Sequence, residues 1–79
     1  MTLIKHSDSY YYDIVRDNIR KYRKEKQLTQ QALADLAEIS MHFLSEIEST
    51  TKNKTFSVST IGRIADALEI PIFKLFEED

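Results

Sequence analysis

A single glycine, Gly62, and a single proline, Pro71, stand in a chain of 79 residues. Tight hairpins rely on glycine, proline or asparagine at their turns, so a chain this poor in punctuation is steered from strands toward helices. The chain also holds no cysteine, which excludes a disulfide framework, thiolate metal sites and cysteine nucleophiles together. Its length permits one small domain, and such a domain buries only about 60% of the surface that its unfolded chain exposes.

Hydrophobic periodicity predicts five helical segments and hence an all-α, five-helix bundle with short loops. The first runs from about Tyr10 to Lys26, with Tyr11, Val15, Ile19 and Tyr22 on one face and Ser9 or Asp8 as its cap. The second runs from about Gln30 to Ala37, capped by Thr29, with Leu33, Leu36 and Ala37 as its apolar stripe. The third runs from about Met41 to Glu48 or Ser49, capped by Ser40. At about 100° per residue, Phe43, Leu44 and Ile47 fall in one arc, and Met41, His42, Ser45, Glu46 and Ser49 in the opposite one. Residues 50–56 read as a basic loop with Asn53 in a turn. The fourth helix runs from about Val58 to Leu68, capped by Ser57, with Val58, Ile61, Ile64, Ala65 and Leu68 on its inner side. Pro71 opens a last short helix, Ile72 to Phe76. Residues 1–9 read as a flexible N-terminus, 10–76 as one domain and 77–79 as an acidic tail.

The net charge of -2 conceals alternating blocks: +4 over residues 16–30, -4 over 31–51, +3 over 52–63 and -4 over 64–79, with -1 before them. An acidic average is compatible with a polyanion partner if the basic blocks share a face; the bland alternative for residues 20–26 is a solvated charged helix. His6 and His42 lie far apart and form no metal-ligand spacing. No glycine-rich phosphate loop and no paired acid and base are present, so an enzyme is not expected. No apolar run approaches the roughly 20 residues of a membrane span, and no signal-peptide core is present. A soluble, cytoplasmic chain is expected.

The informative unit is the second helix, a short turn and the third helix. Residues 30–49 read QQALADLAEISMHFLSEIES. A small residue, Ala34, sits where two helices would cross, Ile39 is apolar in the turn, and Leu44 with Ile47 anchors the second helix of the pair. That layout is a helix-turn-helix, whose second helix enters the DNA major groove.

The stretch IRKYRKEKQLTQQALADLAEIS, then FLSEIE, then SVSTIGRIADALEIPIFKLF resembles the small regulators of the phage Cro and repressor type. The matching residues are Ile19, Arg20 and Arg23; Leu28, Thr29, Gln30, Leu33 and Ala34; Ser40, Leu44, Ser45, Ile47 and Glu48; Ile61, Ile64, Ala65, Ala67 and Leu68. They cover residues 13–76 in the family's order. The resemblance implies that Gln30 contacts phosphate and that Ser40, Met41, His42, Ser45 and Glu46 face the groove. It further implies that Lys52, Asn53 and Lys54 follow the DNA backbone and that Arg23 and Glu48 form a structural ion pair.

Blander roles stand beside these. The alternative for Gln30 is a solvated first-turn residue, for Met41 a flank of the core, for Ser45 a merely small residue, and for the two lysines a solvated loop. Glu46 is a base-reading candidate because a carboxylate accepts from the cytosine amino group.

Three departures from the pattern stand out. Glu38 occupies a turn position where the family favours glycine, which predicts positive φ at a cost of about 1 kcal/mol. The third helix carries no lysine or arginine. Pro71 and Phe73 replace residues that are usually polar, so an exposed aromatic points to an interface. Ile70, Ile72, Phe73 and Phe76 are the expected dimer contact, because one eight-residue helix reads few bases and such domains pair on a roughly palindromic operator. No cofactor, metal, membrane or small-molecule ligand is expected. The alternative is a protein-interaction module of the same fold, antitoxin- or antirepressor-like, with weak or no DNA binding. The run Tyr10, Tyr11 and Tyr12 has no place in the family pattern.

Overall fold

The computed structural model describes residues 4–78. Among them lie four α-helices, α1 (Asp8–Glu25), α2 (Gln30–Ala37), α3 (Met41–Glu48) and α4 (Val58–Ala67), then a 3-10 turn, Ile72–Phe76. The described residues contain no strand, and no helix among them is long and apolar enough to cross a membrane. Of the segments expected to be loose, residues 1–3 and Asp79 lie outside the described residues.

Three helix starts follow one local rule. Thr29, Ser40 and Ser57 each accept a bond from the amide three residues on, at 3.0, 3.0 and 3.1 Å. Each such cap contributes about 1 kcal/mol. Helix α1 differs: it begins at Asp8, ahead of the expected Tyr10, and Ser7 holds its cap position without a side-chain bond.

Three helix ends follow a second rule. Gln27, Glu38 and Glu69 take φ of 58°, 59° and 58°. The next residue's amide then turns back, Leu28 to the Arg23 carbonyl, Ile39 to Ala34 and Ile70 to Ala65, at 3.0, 3.0 and 3.1 Å. This is the Schellman motif, with a polar residue where glycine is usual and an apolar residue after it. Leu28, Ile39 and Ile70 all pack against the core. Ile70, expected at the dimer surface, is half-buried and packs one side against the core.

The expected fifth helix is a 3-10 turn. Pro71 lacks an N–H, and five residues offset little of the cost of helix nucleation. The Lys74 amide instead bonds the Pro71 carbonyl at 3.0 Å. Leu75 points inward and is fully buried, while Ile72, Phe73 and Phe76 stay exposed.

Ile19, Leu33, Ala34, Leu44 and Ile64 form the buried centre. Around it α2 packs on α3 and α4, while α1 packs on α3 and the 3-10 turn. Each buried leucine or isoleucine contributes about 1.5–3 kcal/mol. Three residues expected inside lie outside: Tyr11, Leu36 and Val58. In α1 the stripe begins at Tyr12, whose ring meets Phe56 edge-on at 5.0 Å. Both tyrosines neighbour Val15 on the helix, and the distant Phe56 decides between them. Leu36 is left out because Leu33, Ala34 and Ala37 already fill the side of α2 that meets α3 and α4.

The C-terminal segment is fastened to α1. Buried Asn18 donates from Nδ2 to the carbonyls of Leu75 and Glu77, at 2.9 and 2.8 Å. The Tyr10 hydroxyl donates to the Glu78 carboxylate. Glu77 and Glu78 of the acidic tail are thus tied to α1.

Candidate nucleic-acid interface

The turn between α2 and α3 sets the angle of the pair. Glu38 in the left-handed region reverses the chain, Ile39 drops into the core, and the Ser40 cap starts α3 at once. Ala34 is wholly buried, and its lack of a longer side chain suits a close helix crossing.

Behind α3 lies a charged network. Arg23 donates from Nε to Glu48 Oε2 at 2.8 Å and from Nη2 to Oε1 at 2.9 Å. Its Nη1 donates to the Leu28 carbonyl at 2.8 Å. Glu48 is nearly inaccessible, with 3% of its side chain exposed. Gln30 adds a longer bond from Nε2 to Glu48 Oε1 at 3.3 Å. Such a forked pair is strong and directional, and it locks the start of α2 to the end of α3 through α1.

Gln30 also borders an open polar groove of about 380 Å³, with Arg20 and Lys24 of α1, Ser45 of α3, and Ser49 and Thr50 beyond it. Arg20 and Lys24 were absent from the residues expected at the site. Their signal was present in the +4 block, where Arg20 and Lys24 are spaced by four on one helix face. Lys21 turns elsewhere, with Nζ 5.3 Å from the Tyr22 ring centre.

The outer face of α3 presents Met41, His42 and Ser45, all exposed, with Ser40 at its head. Glu46 is half-covered: Nε2 of His42 lies 3.7 Å and Nζ of Lys54 3.5 Å from its Oε1. Lys54 also lies over the Phe43 ring, at 5.6 Å. Lys52 and Asn53 stand exposed in the loop, and Asn53 takes φ of 50°. The structure thus gathers Gln30, Arg23, Glu48 and Ser45 around one groove, and His42, Glu46 and Lys54 around one carboxylate. Ile72, Phe73 and Phe76 sit apart from both, on the 3-10 turn.

Residues 17–77 match the family described as helix-turn-helix domain. The chain belongs to that family. This helix-turn-helix chain is also 37% identical, over 65 residues, to the immunity repressor protein of Bacillus phage phi105. That alignment covers 82% of this chain and 44% of the relative, so the chain spans less than half of the relative's length.

Solved structures share the fold. The restriction-modification controller protein C.AhdI from Aeromonas hydrophila superposes with a TM-score of 0.72 at 29% identity, over 84% of this chain and all of that one (100%). The hypothetical transcription factor NHTF from Neisseria gives a TM-score of 0.78 at 22% identity, over 98% and 87% of the two chains. The clp gene regulator ClgR from C. glutamicum gives 0.73 at 23%, over 82% of each. At these last two identities the likeness concerns the fold.

Proposed function

We propose that this helix-turn-helix chain is a sequence-specific, double-stranded DNA-binding transcriptional regulator, a repressor or autoregulator acting as a homodimer. Helix α3 enters the major groove with Ser40, Met41, His42 and Ser45 toward the bases. Lys52, Asn53 and Lys54 run beside the backbone. Ile72, Phe73 and Phe76 form the two-fold contact, which sets the two α3 helices about 34 Å apart.

The observation that carries this reading is the groove beside α3. Gln30, at the first turn of α2, meets Arg20, Lys24 and Ser45 there. A phosphate needs such a combination of cations, a helix N-terminus and side-chain donors. The relatives' names add support: an immunity repressor and a restriction-modification controller protein.

One observation favours a second reading, a protein-interaction module of the same fold. An apolar cavity of about 400 Å³ opens between Tyr11, Tyr12, Phe56, Val58, Ile61 and Phe76, away from the groove.

Fluorescence anisotropy against duplexes tiling the DNA upstream of the chain's own gene, with a scrambled control, separates the two. The regulator binds one tile at least about a thousandfold tighter than the control, with a log-log salt slope of about -4 or steeper. Absence of binding to every duplex at low salt overturns the DNA reading in favour of the module.

A further inference from the structure

Helix α3 contains two carboxylates and no lysine or arginine, although its outer face is the one proposed to meet a polyanion. The structure treats the two acids differently. Glu48 is buried and held by Arg23 and Gln30, so its charge is answered inside the fold. Glu46 stands on the outer face with 27% of its side chain exposed. Its Oε1 lies 3.7 Å from His42 Nε2 and 3.5 Å from Lys54 Nζ. Lys54 arrives from the loop, and the Phe43 ring beneath its ammonium holds it near α3. Lys52, Arg20 and Lys24 meet no carboxylate within ion-pair distance among the described residues.

Resting on the DNA-binding reading above, we propose that Glu46 limits affinity for all DNA rather than reading a base, and that Lys54 serves the interface by cancelling the Glu46 charge rather than by gripping a phosphate. A glutamate that reads cytosine extends an unclaimed carboxylate into the groove. The Glu46 carboxylate is drawn instead toward the loop, with a lysine and a histidine on one oxygen. A bare carboxylate at this position repels every duplex regardless of sequence, because the phosphates flanking the groove recur at every step. With Lys54 beside it, the pair presents a short dipole that neither attracts nor repels strongly. The consequence is a low affinity shared by every duplex: the backbone term stays small for all sequences alike, and the ratio between duplexes is left to the base contacts of Ser40, Met41, His42 and Ser45.

The test uses the full chain, as wild type, Glu46→Gln, Lys54→Met and the double variant. The probes are the tightest upstream tile and a random duplex of the same length, each titrated by anisotropy. Binding by the wild type comes first; if it binds no duplex, the DNA reading falls and this inference with it.

Given wild-type binding, Glu46→Gln tightens both duplexes roughly three- to tenfold, and Lys54→Met weakens both by a similar factor. The double variant returns to within about twofold of wild type, and the ratio of tile to random affinity holds throughout. Weakening of the tile alone by Glu46→Gln overturns the inference, because that pattern marks a base contact. A double variant no tighter than Lys54→Met also overturns it, because a bare Glu46 would then exert no repulsion on DNA. Glutamine is as good a helix former as glutamate, so Glu46→Gln keeps the fold and its sign alone decides the first half of the proposal.

Discussion

Replacing Gln27, Glu38 and Glu69 by glycine should stabilise the domain markedly, and the gain can be worked from the backbone. All three hold φ near 58°, the left-handed region, at the ends of α1, α2 and α4. A residue with a Cβ there costs about 1–2 kcal/mol, because the Cβ crowds the following carbonyl. Glycine removes that crowding but gives back about 0.5–1 kcal/mol through the greater freedom of its unfolded chain. The net gain is about 0.7 kcal/mol per site.

The three side chains are exposed, so their loss removes no packing. The sites lie on separate helices, and their effects should add to about 2 kcal/mol. For a domain of this size that corresponds to a rise in Tm of roughly 8–16 °C. Thermal melts followed by circular dichroism, with urea unfolding as a second measure, read the effect directly. The decisive control is alanine at the same positions, which removes the polar group but keeps the Cβ. If alanine stabilises as much as glycine, backbone crowding is not the cause and the reasoning fails. If the triple glycine variant melts at or below wild type, it fails outright.

Two further outcomes follow from buried polar groups. Arg23→Met strands the Glu48 carboxylate and the Leu28 carbonyl, and should cost about 3–5 kcal/mol in urea unfolding, with Arg23→Met/Glu48→Leu recovering at least half of that loss; a single variant within about 1 kcal/mol of wild type contradicts a structural role for the pair. Asn18→Ala leaves the carbonyls of Leu75 and Glu77 without their donor and should cost about 1–3 kcal/mol. Hydrogen exchange should then accelerate over residues 72–76 ahead of α2 and α3, and uniform acceleration over the whole chain would contradict a local latch.

Much of this architecture was legible along the chain because it is local. The hydroxyls of Thr29, Ser40 and Ser57 reach amides only three residues away, so the starts of α2, α3 and α4 are written in adjacent residues. The ends are nearly as local. A polar residue followed by an apolar one, Gln27-Leu28, Glu38-Ile39 and Glu69-Ile70, marks each left-handed stop. Only Glu38 is legible in this way, because the resembled family favours glycine at its position, whereas nothing in that pattern marks Gln27 or Glu69. Ser45 was legible from the helical spacing of residues 41–49, whereas Gln30 and the Arg23–Glu48 pair were legible only through the resemblance to the phage Cro and repressor type.

Adjacent residues were enough to set where α2, α3 and α4 begin, that the chain is helical, and which segment forms the helix-turn-helix. Caps, stops and periodicity act within four residues, and no distant partner can easily overrule them. Which of two neighbouring tyrosines enters the core depended on contacts across the fold, since both lie on the same flank of α1 and Phe56 chooses Tyr12. Tertiary packing alone turned one side of Ile70 inward and left Phe73 outward, and bound the C-terminal segment to Asn18 across 57 residues of chain. It alone placed Lys54 against Glu46, so that a helix reading as acidic presents a paired charge. Each of these outcomes depends on what a side chain meets across the fold. A stripe of spacing fixes a helix face to within about 100°, and the choice within that arc belongs to the packing partner.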